Sequence, residues 1–542
     1  MSKEYTAEEV SKHNTPEDLW IIIDGNVFDV TEWQKDHPGG KKMLQKVGGK
    51  DATKFFHKYH EPAVVMRKFG NNFKIGKLSP NPAVATVSAN PTMAKIPRIT
   101  ALPTNGEDGE PLEQFGDMIP YADPMWYQGF HSQHHDESHA ALRDRIRSYV
   151  DEKISPYIDE WEEADEIPAS VFKEFAEAGW LPYALGSKKF PSEYAENKHA
   201  DIVPNEKFDP FHESILGDEL SRPGSGALVW YLVGGYSIGI PPVLNFAKDS
   251  IKKRVLPDVF SGKKRICLCI TEPSGGSDVA NLVTEAKLSA DGKHYVVNGV
   301  KKWITNGMFA DFFSVAVRTG GPGMGGISML LIERTFDGVS TRHIATQGMN
   351  ASGTALVTFD DVKVPVENLL GEENKGFQII MRNFNHERLG CITQANRFSR
   401  VCYEEAIKWA FQRETFGVKL FKHDVIRNKL AQMACRIEAS CALADALVYQ
   451  SSKMEEDEAM LRLGGNIAGC KAFSTQTFEY CAREASQIFG GLSYTRGGKG
   501  GKVERLYRVV RALAIPGGSE EIMLDLSIRQ SVKVHQMYGA NL

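Results

Sequence analysis

Two short signatures flank a hairpin between residues 270 and 307, and together they leave few folds open. The first reads Ile270-Thr271-Glu272-Pro273-Ser274-Gly275-Gly276-Ser277-Asp278, the second Lys302-Trp303-Ile304-Thr305-Asn306-Gly307. Proline and paired glycines make the first a turn, because they break helix and strand and let backbone approach a ligand closely. Strand-like runs surround it, Ile266–Ile270 before and Tyr295–Val300 with Trp303–Ile304 after, and Asp291-Gly292 marks a hairpin turn between them. Thr271, Ser277 and Thr305 offer hydroxyls and Trp303 a flat apolar face. That set suits a planar polar ring.

A chain of 542 residues is too long for one domain, so three or four are expected. Its 42% hydrophobic and 25% charged residues suit a soluble globular protein, and a net charge of −5 gives no nucleic-acid footprint. No apolar run reaches membrane-spanning length, so no transmembrane helix is expected. Eight cysteines show no metal-type pairing; Cys267 and Cys269, spaced along one strand, read as small core residues in a reducing compartment. The acidic start, Met1 to Glu9, resembles neither a signal nor a transit peptide, and the end at Leu542 is not the peroxisomal Ser-Lys-Leu type. Cytosol or peroxisome is therefore expected ahead of the mitochondrial matrix.

Residues 1–80 form a first unit. Thr6 is placed to cap a helix, and Trp20–Ile23 with Asn26–Val30 make a hairpin about Asp24-Gly25. His37-Pro38-Gly39-Gly40 follows, then Asp51-Ala52-Thr53, His57, His60 and Ile75-Gly76-Lys77-Leu78. Two imidazoles on opposite walls can hold one haem iron. This order resembles cytochrome b5 over nearly the whole unit. The resemblance implies haem b as cofactor, with His37 as one ligand and His60, before Glu61-Pro62-Ala63, as the other; His57 is the alternative. With both axial positions filled, such an iron transfers electrons rather than binding oxygen.

Residues 81–120 are rich in Pro, Ala, Thr, Asn and Gly and read as a linker that holds the haem unit at high effective concentration. His131, His134, His135 and His139 follow, partly at i,i+4 spacing. Metal binding and a solvated helix start both fit them, the second better.

From there the patterns run as helices over 121–264, strands over 265–373 and long helices over 374–542, the last including 376–384 and 388–412 as separate helices. The fold class is multidomain α+β. This order, with Thr-Glu-Pro-x-x-Gly-Ser-Asp and Trp-Ile-Thr-Asn, resembles the acyl-CoA dehydrogenases. Arg413-Glu414-Thr415-Phe416-Gly417 is similar to that family's Arg-x-x-Phe-Gly, and Gln487-Ile488-Phe489-Gly490-Gly491 to its Gln-x-x-Gly-Gly. Where the family often places Gln for the adenosine part, this chain has His423-Asp424.

The resemblance implies FAD, held by Ile270, Thr271, Ser277, Trp303, Thr305, Arg413, Phe416, Gln487, Gly490, Gly491, Ser519 and Glu521. In the family the Arg and Phe reach a neighbouring subunit's FAD, which implies a homodimer or homotetramer. The reaction removes a proton from Cα of an acyl-CoA and a hydride from Cβ, so a carboxylate must stand beside Cα. Many members carry it in Ile-Tyr-Glu-Gly-Thr; here the run is Ile515-Pro516-Gly517-Gly518-Ser519, with Gly517 in its place. The long-chain and isovaleryl branches take it from a helix motif Glu-Arg-Leu, which Glu387-Arg388-Leu389 matches. Glu387 is the expected base, with Glu520 and Glu521 as displaced rivals, and Ser277, Arg388 and Gly517 are expected at the substrate. The expected function is an FAD-dependent acyl-CoA dehydrogenase passing electrons to its fused haem. An oxidase using oxygen, or a non-catalytic binder of acyl-CoA or FAD, remain as alternatives, as does an external electron acceptor.

Overall fold

A computed structural model describes residues 3–60, 65, 71–79, 104–105, 110–111, 115–185 and 188–541. Glu61-Pro62-Ala63 and most of the 81–120 linker lie outside the described residues. The chain divides into two compact units, Met1–Glu113 and Gln114–Leu542.

In the first unit, strands β1 (Glu4–Tyr5), β2 (Asn14–Thr15), β3 (Asp18–Ile23), β4 (Asn26–Asp29) and β5 (Lys74–Leu78) form one sheet in the order β1-β5-β4-β3-β2. Thr6 Oγ1 accepts from Glu9 N, and Glu9 returns a bond to Thr6 N, closing a capping box on α1 (Ala7–Ser11). Asp24 and Gly25 both take positive φ, 48° and 70°, as a type I′ hairpin turn requires. Leu19, Ile21, Phe28, Val30 and Leu44 make the core. Helices α2 (Lys41–Gln45) and α3 (Thr53–Tyr59) flank His37 and His60.

The second unit begins with helices α4 (Glu137–Lys153), α5 (Ile158–Ala164), α6 (Ala169–Glu177), α7 (Pro210–Ser221), α8 (Gly226–Val229), α9 (Gly235–Phe246) and α10 (Asp249–Phe260). A single π turn, Trp230–Gly234, joins α8 to α9. Residues 226–246 are long and apolar enough to cross a bilayer, contrary to the sequence expectation, but most of this stretch is packed inside the protein as a core helix.

The α4 start differs from the solvated one expected. Asp136 caps it, and His139, three residues on, is buried and accepts from Asp136 N at 3.0 Å through Nδ1. Asp209 and His212 repeat the arrangement on α7, and the two imidazoles stack 3.9 Å apart. His139, Asp209 and His212 lie close enough for a metal ion by distance. Their nitrogens are already engaged: His139 Nε2 meets Asp209 at 3.2 Å and His212 Nε2 meets Ser138 at 3.1 Å.

The sheet follows, with β6 (Ile266–Cys269), β7 (Glu285–Leu288), β8 (His294–Ile304), β9 (Phe312–Arg318), β10 (Ile327–Glu333), β11 (Val339–His343), β12 (Ala355–Pro365) and β13 (Leu369–Leu370). Their order is β11-β12-β8-β7-β9-β10-β13, with β6 parallel to β9. Cys267 and Cys269 are both fully buried in its core.

The bundle comprises α11 (Gly376–Gln412), α12 (Asp424–Lys453), α13 (Glu456–Phe489), α14 (Gly501–Ala514) and α15 (Glu520–Met537). The two helices expected over 376–412 are one helix of 37 residues. Residues 385–387 hold no Pro or Gly to break it. Inward polar groups beside them donate across to other segments, Asn383 Nδ2 to Ile238 O at 3.0 Å and Arg388 Nε to Gly517 O at 3.0 Å.

Candidate active site

A cavity of about 510 Å³ opens in the second unit among α7, the π turn, α9 and α11. Glu387 lines it from the middle of α11, and Thr305 from the end of the second signature. Burial pushes the Glu387 carboxyl above its ordinary value, against the charges of Arg388, His386 and Lys471.

Gly517 turns the chain beside Glu387 with φ of 68°, a conformation that favours glycine. A Cβ at Gly517 would stand 3.8 Å from Glu387 Oε1 and 3.8 Å from Cys391 Sγ. A side chain there would point at the Glu387 carboxylate. Arg388 is buried outside the cavity lining, and its donors go to Gly517 O and to Asn385 Oδ1 at 3.3 Å. Arg388 thus holds the glycine loop rather than lining the cavity. The rival carboxylates stand apart from the cavity. Glu520 accepts from Thr475 Oγ1 at 2.8 Å, and Glu521 is exposed and lowered by bonds at the α15 start, including one to the Ser519 side chain.

The first signature is held by its own Glu272 and by Lys301, which sequence patterns did not single out. Lys301 and Glu272 form a buried ion pair at 2.7 Å. Lys301 Nζ also donates to Ile270 O at 3.0 Å, and Glu272 accepts from Val283 N at 2.6 Å and Thr284 N at 2.9 Å. Thr271 sits between these anchors, its carbonyl accepting from Lys302 N at 2.8 Å. Trp303 has φ of 64° and is 52% exposed, so its ring stands clear of the sheet. Ser277 is exposed on the loop. Buried Asn306 ties the second signature to the π turn, accepting from Gly235 N and donating to Trp230 O, each at 2.9 Å. The π turn thus lies at the cavity wall, as such turns often do at functional sites.

Of the remaining expected FAD residues, Ile270 is buried, Ser519 is half-buried, and the others lie on the surface of this one chain. Arg413 and Phe416 belong to a small hairpin, Glu414–Thr415 with Val418–Lys419, and Phe416 is 98% exposed. Gln487, Gly490 and Gly491 are exposed where α13 ends. In the first unit, the His37 and His60 rings lie with centroids 5.9 Å apart, tilted by 49°. His60 stacks on Phe56, and His37 Nδ1 is buried with no hydrogen-bond partner among the described residues. His57 instead pairs with Asp24 at 2.8 Å.

Residues 136–263, 267–362 and 374–532 match the N-terminal, middle and C-terminal domains of acyl-CoA dehydrogenase. Acyl-CoA dehydrogenase AFT10-1 of Alternaria alternata is 42% identical over 426 residues, 77% of this chain and 97% of that relative. The chain belongs to the acyl-CoA dehydrogenase family. Acyl-CoA dehydrogenase apdG of Emericella nidulans is 39% identical over 77% of this chain and 96% of its own length. An FAD-complexed acyl-CoA dehydrogenase from Bacillus anthracis is 26% identical, with a TM-score of 0.65 over 76% of this chain and 69% of that one. Residues 6–79 of this acyl-CoA dehydrogenase match the cytochrome b5-like heme/steroid binding domain. It is an FAD-dependent oxidoreductase carrying a haem domain.

The residues fit both groups. Thr271, whose carbonyl accepts from Lys302 N, and Thr305, two residues past the half-exposed Trp303, supply the hydroxyls and flat ring that an isoalloxazine ring needs. Imidazole–metal bonds of about 2 Å suit a metal ion held between rings spaced like those of His37 and His60.

Proposed function

We propose that this acyl-CoA dehydrogenase uses Glu387 as its base and passes the electrons it gains to its own haem unit. The carrying observation is the proximity of Gly517 to the Glu387 carboxylate. The position that lacks a Glu abuts the one that has it, so Glu387 can serve the spot a residue-517 carboxylate would otherwise serve. Its carboxylate takes the proton from Cα of an acyl-CoA. A hydride leaves Cβ, and the α,β-double bond forms. Bound FAD supplies the hydride acceptor. The Gly517 N–H, on the loop that Arg388 steadies, is suited to donate to the thioester oxygen and so acidify the Cα–H. Burial of an apolar acyl chain beside Glu387 would raise its basicity further.

Fusion in one chain favours internal transfer, because it raises the effective concentration of the acceptor without any new contact. His37 and His60 are the ligands we assign to the iron. The test is an anaerobic titration of haem-loaded protein with acyl-CoAs of different chains. Flavin absorbance should bleach and reduced-haem bands should then grow. His37→Ala and His60→Ala should keep the bleaching and lose the haem bands, while His57→Ala keeps both. Bleaching with the haem left oxidised would overturn internal transfer. No bleaching with any ester would overturn the choice of reaction.

We also infer a homodimer at least. An almost fully exposed Phe416 beside Arg413 costs apolar hydration in a monomer, and a second copy presenting its FAD would cover it. Sedimentation should give a dimer or tetramer, and Phe416→Asp should shift it toward monomer with loss of FAD. A wild-type monomer that retains FAD would overturn this.

A further inference from the structure

The cavity beside Glu387 has two kinds of wall. Residues from the π turn and α9, including Val233, Ile238, Pro241 and Leu244, are apolar. The wall from α7 and α11 sets polar groups among apolar Leu216, Leu220 and Leu389, and it carries a charged pair. His386 Nε2 lies 2.7 Å from Glu213 Oε1, and both side chains line the cavity. Their side chains are 19% and 23% exposed, so neither is sealed away from what enters. Burial alone would push the His386 imidazole down, but the Glu213 carboxylate, with a further contribution from Glu387, more than offsets this and holds it above its ordinary value.

A plain hydrocarbon chain would cover this pair without giving it a hydrogen bond. Covering charged groups in that way is unfavourable, because their water is removed and nothing replaces it. A chain with an oxygen at that depth keeps the pair solvated and still packs its carbons on the apolar wall. Ser214, next to Glu213, and Gly217, one turn on, leave this side of α7 uncrowded. A Cβ added at Gly217 would meet only Thr393 Cγ2, at 3.4 Å.

We infer that the preferred substrate is an acyl-CoA bearing a hydroxyl or keto oxygen on its acyl chain, held by His386 and Glu213. This rests on the reading of the cavity as the acyl site. The pair then selects the substrate, while Glu387, the next residue of the same helix, does the proton chemistry.

The test uses the full chain loaded with FAD and haem, and pairs of acyl-CoAs of equal length with and without one hydroxyl. The hydroxyl is walked along the chain outward from the carbon beyond Cβ. For one position, kcat/KM should exceed that of the matched saturated ester about 10-fold or more, since sites built to hydrogen-bond an oxygen discriminate strongly against analogues without it. Glu213→Leu should bring that ratio close to one, and Glu213→Gln, which keeps the shape if the first variant folds poorly, should reduce it. A wild-type ratio near one at every position would overturn the inference, as would a ratio unchanged in both variants. So would an equal rise in KM for both esters, which would mean that the pair serves the CoA part. Failure of every ester to bleach the flavin is a different result and would count against the acyl-CoA reaction itself.

Discussion

Glu387→Gln should slow flavin reduction by an acyl-CoA about 10³-fold or more while the ester still binds, because the variant keeps the shape of the base and cannot accept a proton. Stopped-flow absorbance under anaerobic conditions reads the rate, and ester-induced changes in the flavin spectrum read binding. Two further consequences follow from the elevated carboxyl of Glu387. The base works only when ionised, so the wild-type rate falls as pH drops through the raised pKa, and this limb should vanish in the variant. Stability moves the other way. The folded protein holds this proton more tightly than the unfolded chain, so ionised Glu387 subtracts stability as pH rises above the ordinary carboxylate value, up to the raised one. Glu387→Gln should therefore melt higher than wild type on the alkaline side of that window and gain nothing well below it. Full flavin reduction by the variant would end the assignment, and the same substitution at Glu520, whose carboxylate is already bonded to Thr475, is the control.

What could be read from the sequence was local. The Asp24-Gly25 turn, the Thr6 capping box and the two signatures each depend on residues within a few positions of one another. Their structures follow from backbone preference and short hydrogen bonds. The supports that join distant segments were not legible. Asn306 bonds Gly235 across 71 residues, Arg388 bonds Gly517 across 129, and His386 reaches Glu213 across 173. No periodicity announces such pairs. Some signals were present and unused. Tyr295, Val297 and Lys301 are all buried on β8, and a lysine at an inward strand position must have a buried partner. Likewise, Asp136-x-x-His139 and Asp209-x-x-His212 repeat one capping pattern, which marks His139 as part of a helix start rather than of a solvated histidine patch. The single helix over 376–412 was misread as two because its polar residues look exposed in sequence, whereas their partners come from α9 and the glycine loop.

Lys301→Met should destabilise the second unit by about 3–5 kcal/mol, the range seen when one partner of a buried ion pair is removed. The substitution keeps the apolar body of the side chain and most of its length, so the loss comes from the ammonium group, its charge and its bond to Ile270 O. Lys301 is fully buried and Glu272 nearly so. Burial pushes the Glu272 carboxyl up, but Lys301, Thr284 and Val283 N–H together hold it below its ordinary value. Without Lys301 the carboxylate keeps its two backbone donors and loses the only cation bonded to it among the described residues. Glu272→Gln in the same chain removes the stranded charge, so the double variant should recover part of the loss. Urea unfolding followed by tryptophan fluorescence measures both. The loop should respond as well, since Thr271 lies between Ile270, whose carbonyl takes the Lys301 bond, and Glu272. FAD content per chain should therefore fall in Lys301→Met and rise again in the double variant, with the Glu387 chemistry intact in whatever fraction retains the cofactor. Stability and FAD content both equal to wild type would mean that the pair does not hold this loop.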